Sequence, residues 1–237
     1  MGLLKQTALI GGVAVSAPFM SGTAEAAGPG AGAVRLADPT MAKALVVLNY
    51  KDKTSKQFVL GVKTEKGILQ VAKAAKQFKT TAPMTTDALI QGGDQGLGKL
   101  VQMAVAKGQA NLFLDESSIE FAPAITNPEK IVCVGLNYAK HAKETNNPIP
   151  KLPILFNKFN NTLAAHNCLL KVPPAEVSTK LDYEVELGIV IGKRASYLKK
   201  EQAMSAVAGY FLANDVSERL FQIERAGQWT NGKGCET

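Results

Sequence analysis

The sequence predicts a mixed α+β protein with a small β-rich module at its start, and three observations carry that prediction. Short apolar or β-branched runs broken by turn residues recur at Ala44–Leu48, Gln57–Val62 and Gly67–Val71, the punctuation expected of short strands. Two stretches, Asp87–Ile90 and Lys99–Lys107, then read as helical, separated by Gly92-Gly93-Asp94-Gln95-Gly96. From Lys130 onward, strand-like runs alternate with short helical ones. Lys130–Leu136 reads as a buried strand, Ala139–Glu144 as a helical turn ended by Asn146-Asn147-Pro148-Ile149-Pro150, and Ile154–Asn157 as a further strand. Tyr183–Ile191 alternates and then becomes continuously apolar, as a strand entering a core does. Lys199–Val207 reads as a helix with Ala203, Met204 and Val207 on its apolar face, and Gly209–Ala213 as a strand leading into Asn214-Asp215.

The chain has 237 residues, room for one large domain or two modest ones, and its 46% hydrophobic and 20% charged content is that of a globular protein able to bury a core. Its net charge of +7 comes from scattered lysines, such as Lys51, Lys53 and Lys56, or Lys73, Lys76 and Lys79. No aromatic residues interleave with them, so a solvated basic surface that attracts anionic substrates fits better than a nucleic-acid footprint. Residues 1–26 read as an export signal: Lys5 gives a positive start, an apolar run extends from Thr7 to Met20, and Ala24-Glu25-Ala26 fits a cleavage site. The apolar run is too short for a comfortable membrane span, and no second one is long enough to span a bilayer. The expected location is therefore periplasmic or secreted, with cytoplasmic as the alternative. Residues 27–40, rich in Gly, Ala and Pro, read as a flexible linker, 41–125 as the β-rich module and 126–237 as a second domain. Three cysteines, Cys133, Cys168 and Cys235, match neither a disulfide framework nor a zinc site. The glycine cluster at 92–96 lacks the Gly-Lys-Ser/Thr ending of a phosphate loop and reads as a plain connection.

Candidate chemistry begins at Glu184-Val185-Glu186. Alternate side chains of a strand share a face, so the two glutamates project together. Two like charges in an apolar strand are costly without compensation, and a divalent cation compensates them. Asp215, at the end of an apolar strand, is a third ligand candidate, although such an aspartate is ordinarily a cap. An all-oxygen set suits Mg²⁺ or Mn²⁺, with Ca²⁺ as a further option. Asp182 reads as a supporting or turn residue. His141 and Glu144 lie three apart, on one face of a helical turn. A carboxylate bonded to an imidazole raises its basicity and makes a usable general base, while a surface ion pair is the ordinary reading of that spacing. His166 reads as structural. Arg219 and Gln222 share the same spacing and could hold a substrate carboxylate, or form an ordinary helix surface. Lys233, in Gln228-Trp229-Thr230-Asn231-Gly232-Lys233, could stabilise a developing enolate.

The order of these pieces resembles the fumarylacetoacetate hydrolase family. Ile131-Val132-Cys133-Val134-Gly135-Leu136-Asn137-Tyr138 with His141 and Glu144 is similar to that family's opening catalytic strand and helix. Asp182-Tyr183-Glu184-Val185-Glu186-Leu187 resembles its metal strand, Ala213-Asn214-Asp215-Val216-Ser217 with Arg219 and Gln222 its third-ligand segment, and Gln228 to Lys233 its lysine segment. The resemblance implies a mixed β-roll, a homodimer, and Mg²⁺ or Mn²⁺ at Glu184, Glu186 and Asp215. It implies a base dyad of His141 and Glu144, and a small 2-oxo acid held by Lys233, Arg219 and Gln222. The implied reaction is metal-dependent hydrolysis of a C–C bond in a 2,4-dioxo acid of the acylpyruvate type, through an enolate that Lys233 stabilises. The same scaffold also serves oxaloacetate decarboxylation and other lyase or isomerase reactions, and a third reading is a non-catalytic remnant that only binds metal. Two departures stand out. Gly234-Cys235-Glu236-Thr237 occupies the place of the usual Ser-Phe-Asp-Thr, and the sequence stops at Thr237, where the family continues through strands that finish the roll and supply a Gly-Thr-Pro loop. The resemblance thus implies a C-terminally truncated catalytic domain.

Overall fold

A computed structural model describes residues 45–107, 109–225 and 227–234, together with the backbone of 3–5 and 13–15. The export-signal and linker readings, on 1–26 and 27–40, otherwise lie outside the described residues. The strands are β1 (Leu3–Lys5), β2 (Val13–Val15), β3 (Leu45–Lys51), β4 (Phe58–Thr64), β5 (Gly67–Gln70), β6 (Phe113–Leu114), β7 (Ile131–Gly135), β8 (Ile154–Lys158), β9 (Leu169–Lys171), β10 (Leu181–Asp182), β11 (Val185–Ile191), β12 (Val207–Asn214) and β13 (Ser217–Glu218). Four short α-helices accompany them among the described residues: α1 (Val71–Phe78), α2 (Thr86–Gly92), α3 (Leu97–Lys107) and α4 (Ala139–Glu144). No helix among the described residues is long and apolar enough to cross a membrane. The chain divides into two compact units, and the boundaries fall inside β11, between Glu186 and Leu187, and inside β12, between Ala213 and Asn214.

The unit formed by Leu9–Ile125 and Leu187–Ala213 is built on a seven-stranded sheet of order β11-β12-β2-β3-β4-β5-β6. From β12 to β6 each neighbouring pair is antiparallel. Period-two burial places Val47, Leu60, Val62 and Leu69 on one face, where they meet Ala74, Leu97, Leu100 and Leu112 from the helical side. No helix is expected over 71–78 in the reading above, yet Val71, Ala74, Ala75 and Phe78 recur at the spacing of one helical face, and the first three are buried. Lys79 ends that helix in the left-handed region, φ 51°, with its N–H turned back on the carbonyls of Ala75 and Lys76. The glycine cluster is a helix connection: the Asp94 carboxylate accepts from Gly98 N–H at 3.0 Å and so caps α3. Asn49, buried on the central strand β3, donates to Thr86 Oγ1 and Pro123 O and accepts from Thr86 N–H, tying α2 and the exit of the module to the sheet.

The unit formed by Met1–Ala8, Thr126–Glu186 and Asn214–Thr237 is made of two-stranded pairs: β7 with β8, β10 with β13 and β1 with β9. Its interior is polar. Among its described residues the buried apolar side chains are Ala142 and Leu170, whereas Ser178, Asp215, Ser217, Glu218, Gln222 and Lys233 are all buried. The β7–β8 ribbon turns Cys133 and Phe156, a cross-strand pair, to one face and leaves Val132, Val134 and Leu155 exposed on the other.

Three expectations are corrected. Lys130–Leu136 is a strand but not a buried one, because nothing among the described residues covers Val132 and Val134. β11 does not run into a core on both faces. Phe211 packs on Gly188 so closely that a Cβ there would sit 2.3 Å from its ring, and Val190 joins the core, but Val185, Leu187, Ile189 and Ile191 remain exposed. Residues 200–206 form a 3-10 helix rather than an α-helix, with Met204 exposed instead of on a packed apolar face. Truncating Leu69, fully buried in the larger core, to alanine is expected to cost about 2–5 kcal/mol. Urea denaturation of the variant checks this, and a loss of only about 0.5 kcal/mol, that of a surface change, would refute the packing.

Candidate active site

Lys233 is the centre of the polar interior. Its side chain is 1% exposed, and its three ammonium hydrogens have three acceptors: Glu184 Oε1 at 2.9 Å, Asp215 Oδ2 at 2.8 Å and Ser217 Oγ at 2.7 Å. The same nitrogen stands 5.0 Å from the centroid of the Phe156 ring. Burying an ammonium is tolerable only with this degree of pairing. The chain is stitched locally to provide it. β10 pairs with β13, Asp215 N–H donates to Glu184 O at 2.8 Å, and Glu184 N–H donates to Asn214 Oδ1 at 3.1 Å. These bonds bring the 182–184 and 214–218 segments side by side. A 3-10 turn over Trp229–Gly232, capped by the Gln228 side chain, delivers Lys233.

Arg219 lies beside this centre. Its Nε and Nη2 donate to Asp182 Oδ2 at 3.0 and 2.8 Å, and its Nη1 donates to Glu184 Oε1 at 2.5 Å and to Gln222 Oε1 at 2.8 Å. Burial works against the Arg219 charge, but the bonds to Asp182 and Glu184 outweigh it and raise its pKa. Burial likewise pushes the Asp182 carboxyl up, and the bonds from Arg219 and Tyr183 N–H bring it below the usual carboxylate range. Arg219 caps the start of a single π-type turn, Leu220–Glu224, that carries Gln222, and the first residues of the turn are fixed by the buried Glu218: one oxygen accepts from Phe221 N–H at 3.0 Å and the other from the Ser178 hydroxyl. Glu186 shares the inward face with Glu184, as strand alternation requires, while Val185 points out. Its pKa is raised by burial and then by the charges of Glu184 and Asp215, against a hydrogen bond from Tyr138.

Residues for which sequence reasoning proposed no role in the site complete it. Lys158 Nζ stands 2.9 Å from Asp215 Oδ1 and donates to Val216 O at 3.1 Å. Its only sequence signal is its spacing: in β8 it lies two residues from Phe156 and therefore on the same face. Ser217 bridges Glu184, Asp215 and Lys233. Cys133 faces the cluster, and its thiol is pushed up to about 11 by burial and then by Asp215, so it is protonated at neutral pH and unsuited to attack as a thiolate. His141 and Glu144 occupy α4 as the spacing predicts, but both side chains are exposed and no hydrogen bond or ion pair joins them among the described residues.

The carboxylates allow a test of whether the site suits a metal. Three cations, Lys158, Arg219 and Lys233, face four carboxylates, Asp182, Glu184, Glu186 and Asp215, which leaves one negative charge over. Asp215 Oδ1 is buried and has no hydrogen bond. Lys158 is within ion-pair distance of it, but not in hydrogen-bonding geometry. Glu184 takes all three of its donors on Oε1. Free lone pairs on hard oxygen donors and a surplus negative charge fit Mg²⁺ or Mn²⁺ chemically. Among the described residues, however, no three carboxylate, histidine or cysteine side chains are gathered as a ready-made ligand group. Lysine and arginine provide the positive charge in the arrangement seen.

Residues 130–237 match the family model of the fumarylacetoacetate hydrolase C-terminal domain. The mitochondrial oxaloacetate tautomerase FAHD2A of Bos taurus is 41% identical over 161 residues, 68% of this chain and 50% of the relative. Its counterpart in Homo sapiens is 38% identical over the same shares. The fumarylacetoacetate hydrolase of Exiguobacterium antarcticum, a solved structure, superposes with a TM-score of 0.55 at 22% identity, over 81% of this chain and 63% of that one, and so shares the fold. Residues 130–237 thus belong to the fumarylacetoacetate hydrolase family, and the chain spans about half the length of the curated relatives it matches.

The chain's one tryptophan is a reporter on this site. Trp229 packs edge-on against Phe156, with centroids 5.6 Å apart, and lies over Gly135, where a Cβ would fall 2.2 Å from its ring. Gly135→Ala is expected to displace the indole, shift its fluorescence maximum and destabilise the fold by about 1–3 kcal/mol. An emission spectrum identical to that of the parent protein would contradict the contact.

Proposed function

We propose that this chain acts on a small enolisable 2-oxo acid and interconverts its keto and enol forms, with oxaloacetate as the first substrate to test. The observation that carries the reading is the buried Lys233 ammonium, held by two carboxylates and a hydroxyl. A fixed positive charge in a water-poor interior is what a developing enolate oxygen needs. The names of the bovine and human relatives, both oxaloacetate tautomerases, support the choice of substrate.

In this reading the 2-oxo oxygen lies toward Lys233, which turns one N–H from its present acceptors to that oxygen and stabilises negative charge there as a proton leaves the adjacent carbon. His141, on the exposed helix α4, takes that proton and returns it to oxygen, and Glu144, one turn on and not bonded to it here, would turn toward the imidazole to orient it. Arg219 and Gln222 receive the substrate carboxylate. Glu184, Glu186 and Asp215 would hold a divalent cation, Mg²⁺ or Mn²⁺, whose contribution when bound is Lewis-acid polarisation of the carboxylate and 2-oxo oxygens. Lys158 and Ser217 fix Asp215 and Glu184 from the protein side.

A second reading is hydrolysis of a 2,4-dioxo acid, with the same base directed at water. The exposure of His141 and Glu144 favours it, since water is freely available there. Both readings need the same charge stabilisation and differ in products. Enol absorbance, carbon dioxide and pyruvate are to be followed in parallel, with oxaloacetate and acetylpyruvate as substrates. Faster loss of the oxaloacetate enol without carbon dioxide is expected. Carbon dioxide release would replace the proposal with decarboxylation, and acetate plus pyruvate from acetylpyruvate would replace it with hydrolysis. No acceleration of any of these would identify a non-catalytic domain. Lys233→Met is expected to lower kcat by roughly 10²–10³-fold, and an unchanged rate would remove Lys233 from the mechanism.

A further inference from the structure

We propose that Asp182 is an internal stand-in for the substrate carboxylate. It keeps Arg219 aimed and neutralised until a two-oxygen carboxylate displaces it, and so sets which ligand termini the site accepts. The inference rests on the reading of Arg219 as the holder of a 2-oxo acid carboxylate.

Each guanidinium nitrogen of Arg219 is already engaged. Nε and Nη2, the side-on edge that suits a carboxylate, both donate to Asp182, while Nη1 donates to Glu184 and Gln222. An incoming carboxylate can therefore reach this edge only by releasing one of these acceptors. Glu184 Oε1 is also held by Lys233 and Ser217, and Gln222 is 5% exposed, so neither is free to leave. Asp182 is different. Its side chain is 46% exposed, it lies in the two-residue strand β10, and its other oxygen accepts only from Tyr183 N–H, its own neighbour in the chain.

The geometry of the pair points the same way. Asp182 meets both nitrogens with one oxygen, Oδ2, at 3.0 and 2.8 Å. A guanidinium edge is best matched by two parallel bonds to two oxygens. Asp182 is thus a correctly charged but incomplete partner, and a free carboxylate that offers both oxygens completes the fork. A ligand with a single carbonyl or an ester at that position gains nothing over Asp182 and leaves the pair closed. Discrimination between an acid and its ester then comes from the displacement itself, in addition to overall charge.

The test is a titration of the full chain with pyruvate, and separately with methyl pyruvate, at constant Mg²⁺, read by NMR line broadening. Asp182→Asn and, as a second variant, Asp182→Ala are compared with the parent. Both are expected to bind pyruvate roughly two- to five-fold more tightly, the range that a part-exposed ion pair contributes, and to bind methyl pyruvate as before. A double-mutant cycle with Arg219→Gln separates competition for the fork from general charge removal. On that background the Asp182 effect is expected to vanish. Unchanged pyruvate affinity in both Asp182 variants would overturn the proposal, as would equal tightening with Arg219→Gln present. If Arg219→Gln alone leaves pyruvate affinity unaltered, the carboxylate-holding role of Arg219 falls instead, and the stand-in role falls with it.

Discussion

The burial of one ammonium group governs the arrangement of the 126–186 and 214–237 unit. Lys233 is nearly inaccessible, and an ammonium in that position must satisfy all three of its hydrogens or cost several kcal/mol. Meeting that demand requires Glu184 from one segment and Asp215 and Ser217 from another to converge, which in turn requires the β10–β13 pairing and the backbone bonds around Asn214. Once those carboxylates are gathered they need further positive charge, and Lys158 and Arg219 supply it. Each group is thus held in place by the electrostatic demand of another. Removing one partner strands a buried charge, so the network acts as a unit.

Much of this was legible in the sequence, for identifiable reasons. Strand alternation put Glu184 and Glu186 on one face, and helical spacing put Gln222 next to Arg219. The structure shows the former pair turned inward and the latter pair hydrogen-bonded. The strands of the leading module were marked by turn residues that do not depend on distant contacts. What could not be read were partners set by tertiary approach. Lys158 is an ordinary lysine at the end of a strand until Asp215 arrives 57 positions later, and Asp182 looks like a turn residue until Arg219 closes on it. The helix over 71–78 was missed although its apolar spacing was present, because Gly67–Val71 ahead of it reads as a strand and drew its first residue into that run. The apolar run of β11 misled in the opposite direction. Apolar residues on both faces of a strand argue for burial on both, but only the Gly188 and Val190 face is packed.

The two units use different means of holding together. The 9–125 and 187–213 unit has a conventional interior in which leucine and valine from a sheet meet leucine and alanine from helices. Its polar exceptions, such as Asn49, are bonded on each side and pin loops to strands. The unit that carries the candidate site has two buried apolar side chains among its described residues and six buried polar ones. Its order comes from directed bonds between charged groups, which fix geometry closely but add little net stability. That is a suitable support for chemistry, where orientation matters more than bulk cohesion.

The polar interior also has a thermodynamic consequence. Exposing apolar surface on unfolding raises the heat capacity, whereas exposing polar surface lowers it. A unit whose interior is largely ionic therefore unfolds with a small heat-capacity increment and has a flat stability curve. The penalty for keeping its charges out of water also diminishes on heating, because ion hydration weakens as temperature rises. The leucine-rich unit follows the ordinary curved profile. Within one polypeptide, the part that holds the ionic cluster and the part that holds the aliphatic core are thus tuned to temperature by opposite physical terms.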